Sequence, residues 1–240
     1  MKHLVLVHGY FGGSSQWAEQ VDLFSQYFHV VTVDLPGFGL NYLMESPDTI
    51  RGYAEFVLNY LDLQGIDQFH LLGHSMGGMI VQEIVAMVPQ RIDYLILYGT
   101  GPVGMLPNRF ETIEESKRRL IADGPKSTGR RIAATWFMQG EQACQYPVCA
   151  RLSENVSLQA SLAGLSAMES WSGVSYLTGI TSPTLILWGD GDRTYNWSQP
   201  EQLWNHISVA KLGVIPGCAH VVHLEKPHLF NAMVIDFFQV

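Results

Sequence analysis

The residues of this chain that could break a covalent bond are a serine set between glycines, two aspartates that follow an apolar run, and two histidines near the C-terminus. The serine is Ser75, in Leu71-Leu72-Gly73-His74-Ser75-Met76-Gly77-Gly78-Met79. An apolar run, Phe69 to Leu72, precedes it, and apolar residues at helical spacing follow from Met76 to Val88. This is the pattern of a strand, a tight turn and a helix with serine at the corner. The chemistry it suits is nucleophilic attack. Glycines on either side let strand and helix pass close together while the turn pushes the hydroxyl into the open. The start of the following helix offers free N–H groups and a partial positive charge to a developing anion, with the Met76 N–H first in line. A serine hydroxyl is a weak nucleophile at neutral pH, so it needs a base, and the base needs an orienting acid. Asp190 and Asp192 follow one apolar run; His220, with His223 three residues on, follows the next.

These groups need a scaffold that brings distant strand ends together. Six short apolar runs read as strands: Leu4 to Val7, Val30 to Val33, Phe69 to Leu72, Tyr94 to Tyr98, Thr184 to Trp188 and Ala210 to Ile215. Amphipathic helical stretches alternate with the first four. They begin near Gln16, where Ser14 or Ser15 can act as cap, near Asp48 or Thr49, and at Met76, where the helix is stopped by Pro89. Such alternation predicts an α/β fold with a mainly parallel sheet covered by helices on both faces. The carboxyl ends of its strands share one edge, and every candidate group above sits at such an end.

After the fourth strand the alternation breaks. From Gly101 to Gly179 the patterns are helical, at Phe110 to Ala122, Gly129 to Met138 and Leu152 to Trp171. This predicts a core of residues 1–100 and 180–240 and a helical cap or lid of residues 101–179 inserted between the fourth and fifth strands. Trp136, Met138, Met168 and Trp171 are its candidates for lining an apolar pocket.

Composition removes several function classes. With 22 acidic against 14 basic residues the net charge is −8, the wrong sign for a general nucleic-acid binder or for anionic membranes. No apolar run reaches the length of a membrane span, and the N-terminal run is too short for a signal peptide. Three cysteines, Cys144, Cys149 and Cys218, make neither a disulfide framework nor a metal-ligand spacing. The expectation is a cytoplasmic protein acting on a small molecule, with no nucleic-acid or membrane partner, no metal and no cofactor.

The chain resembles the α/β-hydrolase superfamily over essentially its whole length. The carrying residues are His8-Gly9-Tyr10 after the first strand, Gly73-His74-Ser75-Met76-Gly77-Gly78, Gly189-Asp190-Gly191-Asp192, and Gly217-Cys218-Ala219-His220 followed by Glu225-Lys226-Pro227. The resemblance implies Ser75 as nucleophile, His220 as base, and Asp192 rather than Asp190 as acid. It implies oxyanion donors at the backbone N–H groups of Met76 and Tyr10, with Phe11 as the fallback. Phe11, His74 and His223 join the substrate-binding candidates. His8 is expected to shape the first loop. Relatives commonly begin with an antiparallel hairpin, which is absent or truncated here; the edge this leaves could be covered by a partner, so monomer and homodimer are both open.

For function the resemblance implies a cap-bearing serine esterase or enol-lactonase-like enzyme. It would cleave a small carboxylic ester or lactone through an acyl-enzyme on Ser75. Alternatives within the fold are a carbon–carbon bond hydrolase, a thioesterase and a lyase. A non-catalytic small-molecule receptor that keeps the three residues is a further alternative. If the substrate is a carboxylate, an arginine of the cap should bind it: Arg109, Arg118, Arg119, Arg130, Arg131 or Arg151.

Overall fold

The structure, a computed structural model, describes residues 1–107 and 111–239. Its centre is a six-stranded, all-parallel sheet formed by β1 (His3–Val7), β2 (His29–Val33), β3 (Phe69–His74), β4 (Ile92–Tyr98), β5 (Thr184–Gly189) and β6 (Ala210–Ile215). The strand order is β2-β1-β3-β4-β5-β6. The chain therefore starts inside the sheet, steps outward to β2, returns across β1 to β3, and continues the other way. The loops that leave β1 and β3 consequently diverge between those two strands and open a crevice at the carboxyl edge, which is where open α/β sheets bind ligands.

The helices are α1 (Ala18–Phe24), α2 (Ile50–Leu63), α3 (Met76–Met87), α4 (Ile113–Thr135), α5 (Tyr146–Leu152), α6 (Leu158–Glu169), α7 (Ser198–His206), α8 (Val222–Glu225) and α9 (Pro227–Phe238). Strand side chains alternate between two cores. Val5, Val7, Leu71, Leu95 and Leu97 pack with α2 and α3, whereas Leu4, Leu6, Leu72, Ile96 and Tyr98 pack with Trp17, Phe24, Phe230 and Phe238. The four inner strands β1, β3, β4 and β5 are largely buried on both faces, which explains their apolar runs in the sequence, whereas the edge strands β2 and β6 are only partly covered. Thr49 caps α2 by accepting the Gly52 N–H at 3.1 Å. Ser14 does not cap the first helix as expected: its N–H and its hydroxyl both donate to Asp34 (2.8 and 2.7 Å), and a 3₁₀ turn over Ser14–Trp17 leads into α1.

Between β4 and β5 the chain is helical, and its apolar residues Ile132, Trp136, Leu165 and Met168 join the core on the α2–α3 face. Two details differ from the pattern read in the sequence. Helix α4 is two arms joined at Gly124, whose φ of 79° and ψ of 162° only glycine adopts readily, with Pro125 opening the second arm. The arms fold back on each other, so Glu111 pairs with Arg131, 20 residues away. The expected helix over 152–171 is also divided, because Ser157 caps a new start by accepting the Ala160 N–H at 3.0 Å. The expected start at Phe110 lies outside the described residues. Among them, no helix is long and apolar enough to cross a membrane.

Candidate active site

Ser75 occupies the corner between β3 and α3 with φ 58° and ψ −121°. A non-glycine residue held there costs of order 1–3 kcal/mol, so the packing around it must enforce the turn. The enforcement is visible at two glycines. A Cβ on Gly73 would lie 2.3 Å from the Gly77 carbonyl oxygen, and one on Gly77 would lie 2.4 Å from that of Val7. Larger side chains at either position would force α3 away from the sheet. Phe11, in the loop after β1, is also held at positive φ, 59°. Two strained residues thus flank the crevice at the β1–β3 divergence.

The loops after β5 and β6 deliver Asp192 and His220. The His220 Nδ1–H donates to Asp192 Oδ2 at 2.7 Å, and both residues are buried. The other carboxylate oxygen, Oδ1, accepts the N–H groups of Thr194 (2.7 Å) and Tyr195 (3.1 Å). This holds the carboxylate in one orientation. Asp190 is used differently: its Oδ1 accepts the Gly217 N–H at 2.6 Å and braces the neighbouring turn. The Tyr195 ring stacks on His220 at 5.6 Å between centroids and 12° between planes. The His220 backbone is fixed as well. Its N–H donates to the Trp136 carbonyl (2.9 Å), and its own carbonyl accepts from His74 Nε2 (3.0 Å) and the Tyr98 hydroxyl (3.1 Å).

Two further histidines stand behind His220 and carry no charge to oppose it. Burial first, then His220 and His223, hold the His74 imidazole well below the usual histidine range. Burial, with a smaller contribution from His220, pushes His223 down to about 3. Burial also lowers His8, against the opposing pull of its bond to the Gly9 carbonyl and of Asp34. His8 Nε2 accepts the Leu35 N–H at 3.0 Å, tying the loop after β1 to the end of β2, in keeping with its expected loop-shaping place.

Ser75 and His220 open onto one cavity of about 30 Å³, lined also by Tyr10, Leu106, Ile132, Trp136, Met168 and Tyr195. Of the expected pocket residues, Trp136 and Met168 are there. The others are not. The Phe11 ring packs edge-on to Tyr10 and Phe38. His74 stacks on Tyr98. His223 stacks on Trp17 and lies 3.0 Å from the Tyr98 hydroxyl. Trp171 turns its indole N–H to the buried Glu83 (3.1 Å). Met138 is 44% exposed and packs by Gly191 and the exposed surface near Cys144. These five fail for one reason: aromatic and methionine side chains serve core packing as readily as pocket walls. Leu106, Ile132, Thr194 and Tyr195 were missed as lining residues. Thr194 and Tyr195 follow Asp192 directly, which was a usable signal, but nothing local marks Leu106 or Ile132. Tyr98, also missed, ends β4 at the sheet edge where functional groups gather.

Met76 opens α3, so its N–H belongs to the turn without an intrahelical acceptor. The Tyr10 side chain is anchored on α6, its hydroxyl donating to the Ser161 carbonyl at 2.8 Å. The arginines of the inserted segment point elsewhere. Arg118 and Arg119 pair with Glu115, Arg131 with Glu111, and Arg130 with Glu154; Arg151 is exposed. Arg109 lies outside the described residues. Among these residues the cavity wall carries no lysine or arginine.

A parallel sheet with this order, a strained serine after β3, and an aspartate–histidine pair after β5 and β6 define a class of protein. The family model of the α/β hydrolase fold matches residues 2–227, and the chain belongs to that family. It is 25% identical over 260 aligned residues to a 2-hydroxy-6-oxo-6-phenylhexa-2,4-dienoate hydrolase of Comamonas testosteroni, covering 98% of this chain and 87% of that protein. Among solved structures, the enol-lactonase of Burkholderia xenovorans superposes with a TM-score of 0.91 at 21% identity, over 100% of this chain and 92% of that one. An esterase of Exiguobacterium antarcticum gives 0.89 at 19% identity, over 100% and 92%.

Proposed function

We propose that this protein is a serine hydrolase that cleaves a small, uncharged carboxylic ester or lactone through an acyl-enzyme on Ser75. His220 takes the Ser75 proton as Oγ attacks the carbonyl carbon. Asp192 holds the imidazole with Nδ1 protonated and Nε2 free, and stabilises the imidazolium that forms. The tetrahedral oxygen is received by the N–H groups of Met76 and Tyr10. His220 returns the proton to the leaving alcohol, then activates a water that releases the acid. The neutral His74 and His223 behind it add no positive charge against that imidazolium. The observation that carries the reading is the bond from His220 Nδ1 to Asp192 in a residue that shares a cavity with Ser75.

The relative from Comamonas testosteroni favours a second reading, hydrolysis of a carbon–carbon bond in a dienoate. A dienoate brings a carboxylate, and the described cavity wall offers it no cation. That difference ranks the ester or lactone first.

The test is turnover of p-nitrophenyl acetate and butyrate by wild type and Ser75→Ala, alongside a panel of coloured dienoates. Ester cleavage lost in Ser75→Ala is the expected result. Bleaching of the dienoates without ester turnover would reverse the ranking. An inert wild type whose melting temperature is raised by one of these compounds would point instead to a binding protein that keeps the three residues.

A further inference from the structure

The 30 Å³ cavity has room for a water or two, whereas small-molecule sites enclose roughly 300–1,000 Å³. The reacting carbonyl fits beside Ser75, and the rest of a substrate must extend past a wall. Leu106 is a wall shared with a second cavity of about 530 Å³, lined also by Met105, Pro107, Thr112, Ile113, Glu114 and Glu169. Among the described residues, three further cavities share no lining residue with the inner one. They lie beside Glu45–Asp48, between Asp123 and Tyr146, and beside Phe137–Gln145.

We propose that the outer cavity binds an uncharged aliphatic arm of the substrate, which passes Leu106 to bring its carbonyl to Ser75. This rests on the serine-hydrolase reading above. The polar groups of the outer wall are largely engaged. The Thr112 hydroxyl accepts the Glu115 N–H (3.2 Å) and Glu169 pairs with Lys117 (2.5 Å). What Met105, Leu106, Pro107 and Ile113 leave for a ligand is hydrocarbon, and the Glu114 carboxylate disfavours an anion. The Leu106 loop is pinned on both sides, by the Gly104 N–H to the Trp171 carbonyl (3.1 Å) and by Asn196 Nδ2 to the Pro107 carbonyl (3.3 Å). A turn of one leucine side chain, rather than movement of the helical insert, can then join the two spaces.

The experiment compares kcat/KM along two ester series. p-Nitrophenyl acetate, butyrate and hexanoate lengthen the acyl arm; ethyl, butyl and hexyl acetate lengthen the alcohol arm. In wild type one series rises by up to about fourfold per added methylene, which identifies the arm that enters. Leu106→Trp lowers the long-to-short ratio in that series at least tenfold, and Leu106→Phe, a smaller plug, lowers it less. A ratio unmoved by both variants overturns the proposal. Calorimetric binding of 1-hexanol to Ser75→Ala, with and without Leu106→Trp, needs no turnover. Binding that Leu106→Trp removes, in a protein that cleaves no ester, sinks the hydrolase reading and keeps the chamber. Ser75-dependent cleavage with chain-length ratios and hexanol binding indifferent to Leu106 does the reverse.

Discussion

The carboxyl edge of the sheet and the helical insert between β4 and β5 are built on opposite plans. At the sheet edge, the Asp192 carboxylate and the His220 backbone have fixed partners. Asp192 accepts three hydrogen bonds and the His220 carbonyl accepts two, and rings of Tyr98 and Tyr195 pack against the histidines. The insert turns its charged groups outward into ion pairs such as Arg130–Glu154 and Arg118–Glu115, and turns Ile132, Trp136 and Met168 inward as plain hydrocarbon. The edge therefore holds the Asp192 carboxylate and the His220 ring in one orientation, as proton transfer through this pair would require. The insert contributes apolar walls to the cavity beside Ser75. The two layers meet where the Trp136 carbonyl accepts the His220 N–H and where the Tyr10 hydroxyl donates to the Ser161 carbonyl.

The largest expected effect follows from severing the edge alone. Asp192→Asn keeps the shape of the side chain but presents a donor or a weaker acceptor to His220, so the imidazole loses its enforced tautomer. We expect kcat for p-nitrophenyl acetate to fall by roughly 10⁴-fold, with Ser75→Ala and His220→Ala at least as damaging. Circular dichroism and melting should show all three folded. If His220→Ala retained activity and His223→Ala lost it, the base would have been assigned to the wrong histidine.

Acid should act through stability, at His223 behind the sheet edge and at His70 near the start of β3. His223 has a folded pKa pushed down to about 3 by burial, and His70 one pushed down to about 4 by the same cause. Their unfolded counterparts take up protons near 6.5. Below that value the unfolded chain binds more protons than the native one, so stability falls as pH drops from about 6.5 toward 4. His223 alone contributes a slope of about 1.4 kcal/mol per pH unit over most of that window. Urea unfolding at pH 7, 6 and 5 measures the slope, and His223→Gln should reduce it by one proton. A flat profile would mean that these imidazoles are hydrated in solution and that burial does not hold them neutral.

How much of this could be read from the sequence differs between the two layers for the same reason. Ser75 was legible as a candidate from its corner between glycines, and the strand ends offered Asp190 or Asp192 and His220 or His223; the choice of Asp192 and His220 came from the family resemblance. The four inner strands were legible because burial on both faces leaves apolar runs, and the two edge strands because their half-buried residues are still mostly β-branched or aliphatic. The insert left no comparable signature. Trp136 and Trp171 look equivalent in sequence, yet one faces the cavity and the other donates to Glu83. Leu106 and Ile132 are ordinary apolar residues: the position of Ile132 depends on how the two arms of α4 fold together at Gly124, and that of Leu106 on bonds from its loop to Trp171 and Asn196. A wall made by packing is a property of pairs far apart in the chain, and a single sequence does not display pairs.

The seam between the layers can be tested at Trp171. Its indole N–H donates to Glu83, a carboxylate on the buried side of α3 whose other oxygen lies 3.6 Å from Arg51. Trp171→Phe retains most of the ring and removes the donor. Leaving that oxygen short of a partner should cost about 1–3 kcal/mol. For a chain of this size that lowers Tm by about 2–4 °C per kcal/mol. If Tm were unchanged, the bond would not be what fastens the end of the insert to the helix behind Ser75.

The smallest effect belongs to the insert alone, at Gly124. Its φ of 79° and ψ of 162° fall in a region that is essentially restricted to glycine, and a Cβ there would meet nothing within 4 Å. Gly124→Ala therefore adds backbone strain without a clash. The strain costs about 1–3 kcal/mol. Alanine also restricts the unfolded chain, which returns about 0.4–1 kcal/mol. A net loss near 1 kcal/mol is expected, with turnover of the short acetate ester unchanged because no group at the sheet edge moves. Chemical denaturation reads the first quantity and initial rates read the second. A variant that kept its stability but lost kcat would show that the angle between the two arms of α4 reaches His220 through Trp136, and the sheet edge and the insert could no longer be treated as separate layers there.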